Sequence, residues 1–474
     1  MKHITIRDIV RVTEGKLIVV GRSGDSEIPE EVPERELTDL CIDSREIKKG
    51  DLFIPLLGER VDAHKFIPGV MSTAVATLTD WDADRVYADP GELEKAGKRE
   101  DILIRVENTQ KALEQIGAYI RTQYEPPVIG VTGSVGKTTT RRMIATALGS
   151  CREVFETPGN LNSHIGIPIT TSRMLDEPSE VAVLEMGIDR IGEMDVEYSI
   201  VRPEIAVVTM IGVCHMEYFG SREGIRREKL KVAGHDTVLF LNADDPMLME
   251  IKGKTEAREV WYYGVSEEAE YRAEDMVQTD DGYRFIYVHG DIRVPVELPV
   301  AGMHNVRNAV VAMAIADYLG MDLEKAAASL AGFQGLRQII RHSGKGTTII
   351  DDTYNASPDS MKAALTVLSD YKTEGRRWAV LGDMFEMGPR EKEFHKEVGE
   401  GFSGYKVDRL ITVGELAGLL GEKAHEVNKE MQYYHFAAIE DAAEYLKKEL
   451  REEDVVLFKA SHGMNFSKLV EWLE

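Results

Sequence analysis

The sequence predicts an α/β protein of three domains, on three observations: its length, the alternation of short apolar runs with helical spacing, and one glycine-rich loop between a strand and a helix. Its 474 residues suffice for about three domains of ordinary size, each burying its own core. The expected boundaries are residues 1–105, 106–330 and 331–474.

The first region is cut by Gly, Pro and Asp into short apolar runs such as Gly50-Asp51-Leu52-Phe53-Ile54-Pro55-Leu56-Leu57-Gly58, the pattern of a small α/β domain. From Asn108 to Tyr124, Leu113, Ile116, Ile120 and Tyr124 recur at helical spacing until Pro126-Pro127 stops the helix. Val128-Ile129-Gly130-Val131 then reads as a buried strand, Gly133 to Thr140 as a loop, and Arg141 to Leu148 as a helix. Further buried strands are expected at Val181 to Leu184, Ile205 to Val208 and Thr237 to Leu241, in a largely parallel sheet. Alternating residues from Asp275 to Val300 predict antiparallel hairpins, a β-appendage on the middle domain. An Ala-rich helix follows over Asn308 to Leu319. Strands at Thr348 to Ile350, Trp378 to Leu381, Leu410 to Val413 and Val455 to Phe458, with helices between them, predict a Rossmann-like C-terminal domain.

Composition narrows the function. A formal charge of -25 repels nucleic acid and anionic membranes, so an anionic ligand must be held by local groups. Cys41, Cys151 and Cys214 form no CxxC pair, as expected of a reducing compartment. The N-terminus lacks a long apolar core and no later run approaches the roughly 18 residues of a membrane span. The expectation is a soluble cytoplasmic monomer with no nucleic-acid partner and no membrane insertion.

The loop Gly133-Ser134-Val135-Gly136-Lys137-Thr138-Thr139 carries the chemistry. Glycines let backbone N–H groups turn toward a polyphosphate, and the following helix adds its N-terminal dipole. Lys137 would neutralise phosphate charge and Thr138 can ligate Mg²⁺ through its hydroxyl. Glu185 ends a strand where a carboxylate serving that metal would sit, or is a solvated strand end. A lone loop His215 is more often structural than a ligand, and Lys229, in Arg226-Arg227-Glu228-Lys229-Leu230-Lys231, reads by spacing as part of a charged, solvated helix face. Asn242-Ala243-Asp244-Asp245-Pro246 reads as a turn.

Two further polar clusters stand out. Thr157 to Gly166, with Asn160 and Asn162, is a substrate-orienting loop or a hydrogen-bonded turn. Asp351-Asp352-Thr353-Tyr354-Asn355-Ala356-Ser357-Pro358 follows a strand, where acids face ligands or cap the next helix.

As an ordered set these motifs resemble the Mur ligase family, ATP-dependent amide-forming ligases of peptidoglycan synthesis. Asp43-Ser44-Arg45, Gly50-Asp51-Leu52-Phe53 and Asp62-Ala63-His64-Lys65-Phe66 look like its N-terminal UDP-binding region. Gly133 to Thr139 matches its phosphate loop, and Gly302-Met303-His304-Asn305-Val306-Arg307-Asn308-Ala309 its His-Asn-x-x-Asn-Ala nucleotide contact. Residues 351–358 point to the D-alanyl-D-alanine-adding branch.

The resemblance implies ATP and Mg²⁺ as cofactors, and UDP-N-acetylmuramoyl-tripeptide and D-alanyl-D-alanine as substrates. It also leaves room for a relative joining a different carboxylate and amine. It implies catalytic roles for Lys137, Lys229 and His215, with Thr138, Glu185 and His215 as magnesium ligands and a carbamylated Lys229 helping to hold a second magnesium. Gly133, Ser134, Gly136, Thr138, Thr139, Asn305, Asn308, Arg337 and Asp352 would hold nucleotide, and Ser44, Arg45, Asn160, Asn162, Tyr354 and Asn355 substrate. The sequence departs from the family pattern at Val135, Ser163, Asp189, Met210 and His462, the first four replacing Asn and the last Arg. A GTP-dependent switch is the competing class, but no Asn-Lys-x-Asp motif stands in the middle region to read guanine.

Overall fold

A computed structural model describes residues 3–22, 28–58, 60–176, 178–279, 282–335, 339–344 and 346–473. The chain divides into two compact units, Met1–Gly130 with Glu153–Ile188 and Gly192–Glu204, and Val131–Arg152 with Asp189–Ile191 and Ile205–Glu474. Arg337 lies outside the described residues. Among the described residues no helix is long and apolar enough to cross a membrane.

The first unit opens with β1 (Lys16–Val19), β2 (Leu40–Cys41), β3 (Leu52–Phe53), β4 (Ala76–Thr79) and β5 (Ile102–Arg105), in the order β1-β5-β4-β3-β2. β1 runs antiparallel to β5 and the remaining pairs are parallel. Strand alternation divides its core in two: Ile102 and Ile104 join Ile6, Ile9, Leu113 and Ile116, while Leu103 joins Phe53, Ile67 and Val70 on the opposite face. The predicted helix is Thr109–Arg121, capped by Asn108 accepting from the Lys111 N–H. Burying each of Leu113, Ile116 and Ile120 supplies about 1.5–3 kcal/mol. β6 (Val128–Thr132) leads out of this unit, which also holds β7 (Val154–Glu156) parallel to β8 (Val181–Glu185).

In the second unit β6 is followed by β9 (Ile205–Val208), β10 (Val238–Asn242), β11 (Glu259–Gly264), β12 (Tyr271–Gln278), β13 (Tyr283–His289) and β14 (Ile292–Leu298), side by side in chain order. β9, β10, β11 and β12 pair in parallel, and β12, β13 and β14 form the expected antiparallel appendage. The Ala-rich helix begins earlier than expected, at Met303, and runs to Tyr318. Its first turn was hidden in the sequence because His304, Asn305, Arg307 and Asn308 break the apolar pattern, yet Asn305 and Asn308 are buried.

The same unit holds β15 (Ile339–His342), β16 (Thr348–Asp351), β17 (Arg377–Gly382), β18 (Arg409–Val413), β19 (Gln432–Phe436) and β20 (Val455–Lys459), in the order β15-β16-β20-β17-β18-β19. Only β15 is antiparallel, giving the Rossmann-like sheet the sequence predicts. β15 and β19 are the strands it did not predict; β19, Gln432-Tyr433-Tyr434-His435-Phe436, is half exposed and lacks a buried apolar run.

The entry edge of this sheet is tied by Asp454. Its carboxylate accepts from Arg376 Nη2 at 2.6 Å, the Arg451 N–H at 2.9 Å and Trp378 Nε1 at 3.2 Å. Burial alone would raise the Asp454 pKa, but the hydrogen bonds from Arg376 and Arg451 hold it below the ordinary value of 3.8. Stability from this group is therefore full above the unfolded pKa and lost as pH falls through the lower folded one. Asp454→Asn is expected to lose about 2–3 kcal/mol at pH 7, with the gap to wild type closing in acid below pH ~4. Thermal unfolding at both pH values checks this, and an equal gap at both would contradict it.

Candidate active site

The site in the second unit lies at the C-terminal ends of β6, β9 and β10, where the loops after these strands converge. Gly133 and Gly136 take φ of 147° and 89°. A Cβ on Gly133 would fall on Thr209 Oγ1, so glycine is required by space as well as conformation. The Ser134 N–H donates to Met210 O at 2.8 Å, and Thr209 Oγ1 donates to Val135 O at 2.6 Å. Lys137 Nζ reaches back to Gly133 O at 3.0 Å. The predicted helix starts directly at Lys137 and runs to Gly149.

Ser134, Gly136, Thr138 and Thr139 line a cavity of ≈ 340 Å³ together with His304, Asn305, Asn308, Asp352, Asn355 and Lys459. That volume falls in the range of small-ligand pockets. Three separate sequence motifs are thus brought to one place, and the residues fit a nucleoside polyphosphate: the loop is a cradle, and the buried Ser134 Oγ has no hydrogen-bond partner within the protein. Asn305 and Asn308 are also spent internally. Asn308 Oδ1 accepts from Thr140 Oγ1 at 3.0 Å, which fastens the Ala-rich helix to the helix after the loop, and Asn305 Nδ2 donates to Ala301 O at 2.7 Å within the helix's own start.

Asp352 accepts from Lys459 Nζ at 2.8 Å, and the same ammonium donates to Asn355 O at 2.9 Å. Both charged side chains are buried, Lys459 at the end of β20 and Asp352 just past the adjacent β16. Burial pushes His304 down to about 4; Asp352 opposes that shift and Arg307 and Lys459 add to it, so the imidazole lining the cavity is neutral at pH 7. Arg307 is held by Asp244 at 2.6 Å. The turn Asn242–Pro246 is thus more than a turn: Asn242 lines the cavity and Asp244 anchors the Arg beside it.

The metal candidates fall in both units. In the first, the Glu185 N–H donates to Thr157 Oγ1 at 2.9 Å, and its Oε1 accepts from Asn162 Nδ2 at 2.7 Å. The loop containing Asn162 is therefore built around Glu185, while Asn160 is exposed. In the second, His215 Nδ1 lies 2.8 Å from Glu386 Oε2 and Nε2 lies 3.2 Å from Asp189 Oδ1. Lys229 corrects the solvated-face expectation: on the helix Arg222–Leu230 it is 2% exposed and Glu228 3%. The charge pattern misled because buried positions of this helix are filled by charged as well as apolar residues. Lys229 is close enough to Cys214, with Lys137, for both ammonium groups to act on that thiol, whose pKa burial nonetheless raises.

Hard Mg²⁺ wants oxygen, and among the described residues no group of three or more His, Cys, Asp and Glu converges. Of the candidates in the second unit, the Thr138 hydroxyl is such an oxygen donor, His215 a nitrogen donor, and Lys229 would offer oxygen only as a carbamate; Glu185, in the first unit, is a carboxylate of the same hard kind. Of the substrate candidates, Arg45 is exposed and pairs with Asp43 through Nε at 2.9 Å, which holds the Asp43 carboxyl down to about 2. Ser44 is half-buried, and Tyr354 and Asn355 are exposed. Sequence reasoning missed Asn242, Arg307 and Lys459; Lys459, the last residue of an otherwise apolar strand, was the available signal.

A phosphate loop on a parallel sheet, sharing its cavity with residues of a Rossmann-like sheet, defines a nucleotide-dependent α/β enzyme. The Mur ligase middle-domain profile matches residues 131–316, and the profile of the Mur ligase, glutamate ligase domain, matches 337–462. The UDP-N-acetylmuramoyl-tripeptide--D-alanyl-D-alanine ligase of Bacillus subtilis is 37% identical over 440 residues, 91% of this chain and 92% of its own length. A crystal structure of MurF from Acinetobacter baumannii superposes with a TM-score of 0.84 at 29% identity, over 99% of this chain and 98% of the other. MurF from Thermotoga maritima in complex with ADP gives 0.77 at 26% identity, over 92% and 96%. This chain belongs to the Mur ligase family.

The buried Lys459–Asp352 pair yields a direct test. Lys459→Met leaves a buried carboxylate unpaired and is expected to cost about 3–5 kcal/mol, part of which Asp352→Asn restores in the double variant. Denaturant unfolding of the three variants checks this; an unchanged midpoint in Lys459→Met would contradict the pair's role.

Proposed function

We propose that this chain is an ATP-dependent amide ligase that joins D-alanyl-D-alanine to UDP-N-acetylmuramoyl-tripeptide in the synthesis of peptidoglycan precursors. The observation that carries the reading is the single cavity to which the phosphate loop, the Asn305 and Asn308 turn and the Asp352 stretch all contribute, in a chain related over nine-tenths of its length to ligases of that name. Residues 1–105 form the UDP-substrate region, 106–330 the ATP region and 331–474 the ligase region, acting in the cytoplasm as a monomer.

The substrate's terminal carboxylate attacks the γ-phosphorus of ATP; ADP leaves and an acyl phosphate forms. The D-alanyl-D-alanine amine then attacks the acyl carbon, and the tetrahedral adduct expels phosphate. Backbone N–H groups of the loop and Lys137 stabilise the charge that develops on the transferring phosphoryl group. Mg²⁺, when bound, would supply Lewis-acid screening of phosphate charge. Thr138, Glu185, His215 and a carbamylated Lys229 would supply its ligands. Asn162 positions Glu185, and Asn305, Asn308 and Asp352 shape the nucleoside end. Ser44, Arg45 and Asn160 meet the UDP substrate, and Tyr354 and Asn355 the incoming dipeptide.

Phosphate release should require ATP, Mg²⁺, UDP-N-acetylmuramoyl-tripeptide and D-alanyl-D-alanine together. Release without the dipeptide, or none above single-substrate controls, would contradict the reading. In the same assay Lys229→Ala should lose at least about 100-fold, with partial return on adding a short carboxylate such as acetate, as expected if Lys229 supplies carboxylate-like oxygen. Full activity in that variant would leave Lys229 a structural buried lysine.

A further inference from the structure

Asp359 lines the nucleotide cavity and has no part in the reaction as written above. It stands in the first turn of the helix Pro358–Asp370, where the helix dipole favours a negative charge. That accounts for an acid at the position but not for the state of its oxygens. Oδ2 is buried and accepts no hydrogen bond within the protein. Among the described residues Oδ1 likewise has neither a hydrogen bond nor an ion pair. The chain nonetheless makes room for this carboxylate. Gly212, in the loop after β9, has no left-handed φ to require glycine, yet a Cβ there would lie 2.4 Å from Asp359 Oδ2 and 3.2 Å from Ser134 Cβ. The missing side chain lets Asp359 settle against the backbone beside the phosphate loop, in a slot where Oδ2 meets no donor.

A polar group taken from water without a partner is unfavourable, and a charged one more so, which leaves this slot in want of a cation. Three sources compete. The first is the chain itself, but none of the lysines Lys137, Lys229, Lys362 and Lys459 forms an ion pair with Asp359. The second is a divalent metal, which would need further oxygen donors beside Asp359. Asp245, close enough to feel its charge, has both oxygens committed, Oδ2 to the Ile211 N–H at 2.6 Å and Oδ1 to the Met247 N–H at 2.8 Å. Cys214, the other neighbour, offers soft sulfur, which Mg²⁺ does not select. The third is an ammonium group carried by a ligand, which needs only one carboxylate and brings three N–H donors of its own. The ligation brings such a group to this cavity, since the incoming dipeptide carries a free amine and Asn355, assigned to it above, lines the same space.

We propose that Asp359 binds the ammonium group of the acceptor amine and takes the proton that it must lose before its nitrogen attacks. The inference rests on the reading of the chain as an amide ligase. Once the acyl phosphate has formed, one N–H proton of the ammonium passes to the Asp359 carboxylate and frees the nitrogen lone pair. The N–C bond forms at the acyl carbon and the C–O bond to phosphate breaks, its electron pair leaving with the phosphate. A second N–H proton goes to that phosphate, the amide keeps the third, and Asp359 returns its own to solvent. Proton transfer by a positioned side chain contributes about 100-fold or more to such a step.

The test compares full-length wild type with Asp359→Asn, using two nucleophiles on the same UDP-N-acetylmuramoyl-tripeptide. D-Alanyl-D-alanine arrives protonated, whereas hydroxylamine carries no proton at neutral pH and traps an acyl phosphate as hydroxamate without a base. Asp359→Asn should lose about 100-fold in kcat/KM for the dipeptide while its hydroxamate formation stays within about three-fold of wild type. Its denaturant midpoint should be no lower than that of wild type, because an unmatched charge has been removed. Dipeptide ligation at the wild-type rate in Asp359→Asn would overturn the proposal. Equal losses with both nucleophiles would also overturn it, assigning Asp359 to phosphoryl transfer or to the fold. So would a drop in the Mn²⁺-dependent part of ADP affinity, measured by calorimetry, which would make the cation a metal. The substrate assignment fails separately: if wild type forms hydroxamate and accepts another amine from a panel of amino acids and dipeptides but not D-alanyl-D-alanine, only that assignment is rejected. The two proteins are then compared with the accepted amine, on the same criteria. A wild type that accepts hydroxylamine and no protonated amine, or that forms no hydroxamate, would overturn both.

Discussion

The close approach of Gly133 to Thr209 sets the geometry on which the nucleotide cavity depends. With no room for a Cβ at Gly133, the loop lies against the end of β9 and is pinned there by the Thr209 hydroxyl and the Ser134 N–H. That fixes where Lys137 begins its helix, and the Thr140 to Asn308 bond then fixes the Ala-rich helix. The same turn that docks through Asn308 carries His304 and Arg307 to the cavity. One constraint therefore propagates from a strand end through two helices to the lining of the site.

The electrostatics follow a related logic. A chain of formal charge -25 attracts no anion by its overall field. Its positive groups are instead placed individually: Lys137 in the loop, Lys459 at the end of a central strand and Lys229 in a buried helix position. Lys459 is matched by Asp352 and Arg307 by Asp244, so the cations at the cavity are oriented rather than merely concentrated. Oriented charge costs little reorganisation when a phosphoryl group moves, which is how an acidic protein can still handle a polyphosphate.

The fold was legible wherever apolar runs marked buried parallel strands, as at β6, β8, β9, β10, β17, β18 and β20, and the antiparallel appendage was legible from its alternation. β19 was not, because a half-exposed edge strand has no apolar run to announce it. The phosphate loop was readable from spacing alone, since backbone chemistry dictates its glycines. Lys229 was not: buried charge looks in sequence like surface charge, and only the fold distinguishes them. Arg307 was likewise obscured, because a polar first turn on an apolar helix reads as loop.

What unites the cavity, the buried lysines and the family relationship is the claim that a carboxylate is activated by phosphoryl transfer before the amine attacks. Label tracing tests it most directly: UDP-N-acetylmuramoyl-tripeptide carrying ¹⁸O in its terminal carboxylate is turned over with ATP and D-alanyl-D-alanine, and the released phosphate is analysed by mass. Attack on the γ-phosphorus followed by loss of phosphate from the acyl carbon places one carboxylate oxygen in every phosphate released. Phosphate free of ¹⁸O, with amide product still formed, would contradict an acyl phosphate on the path.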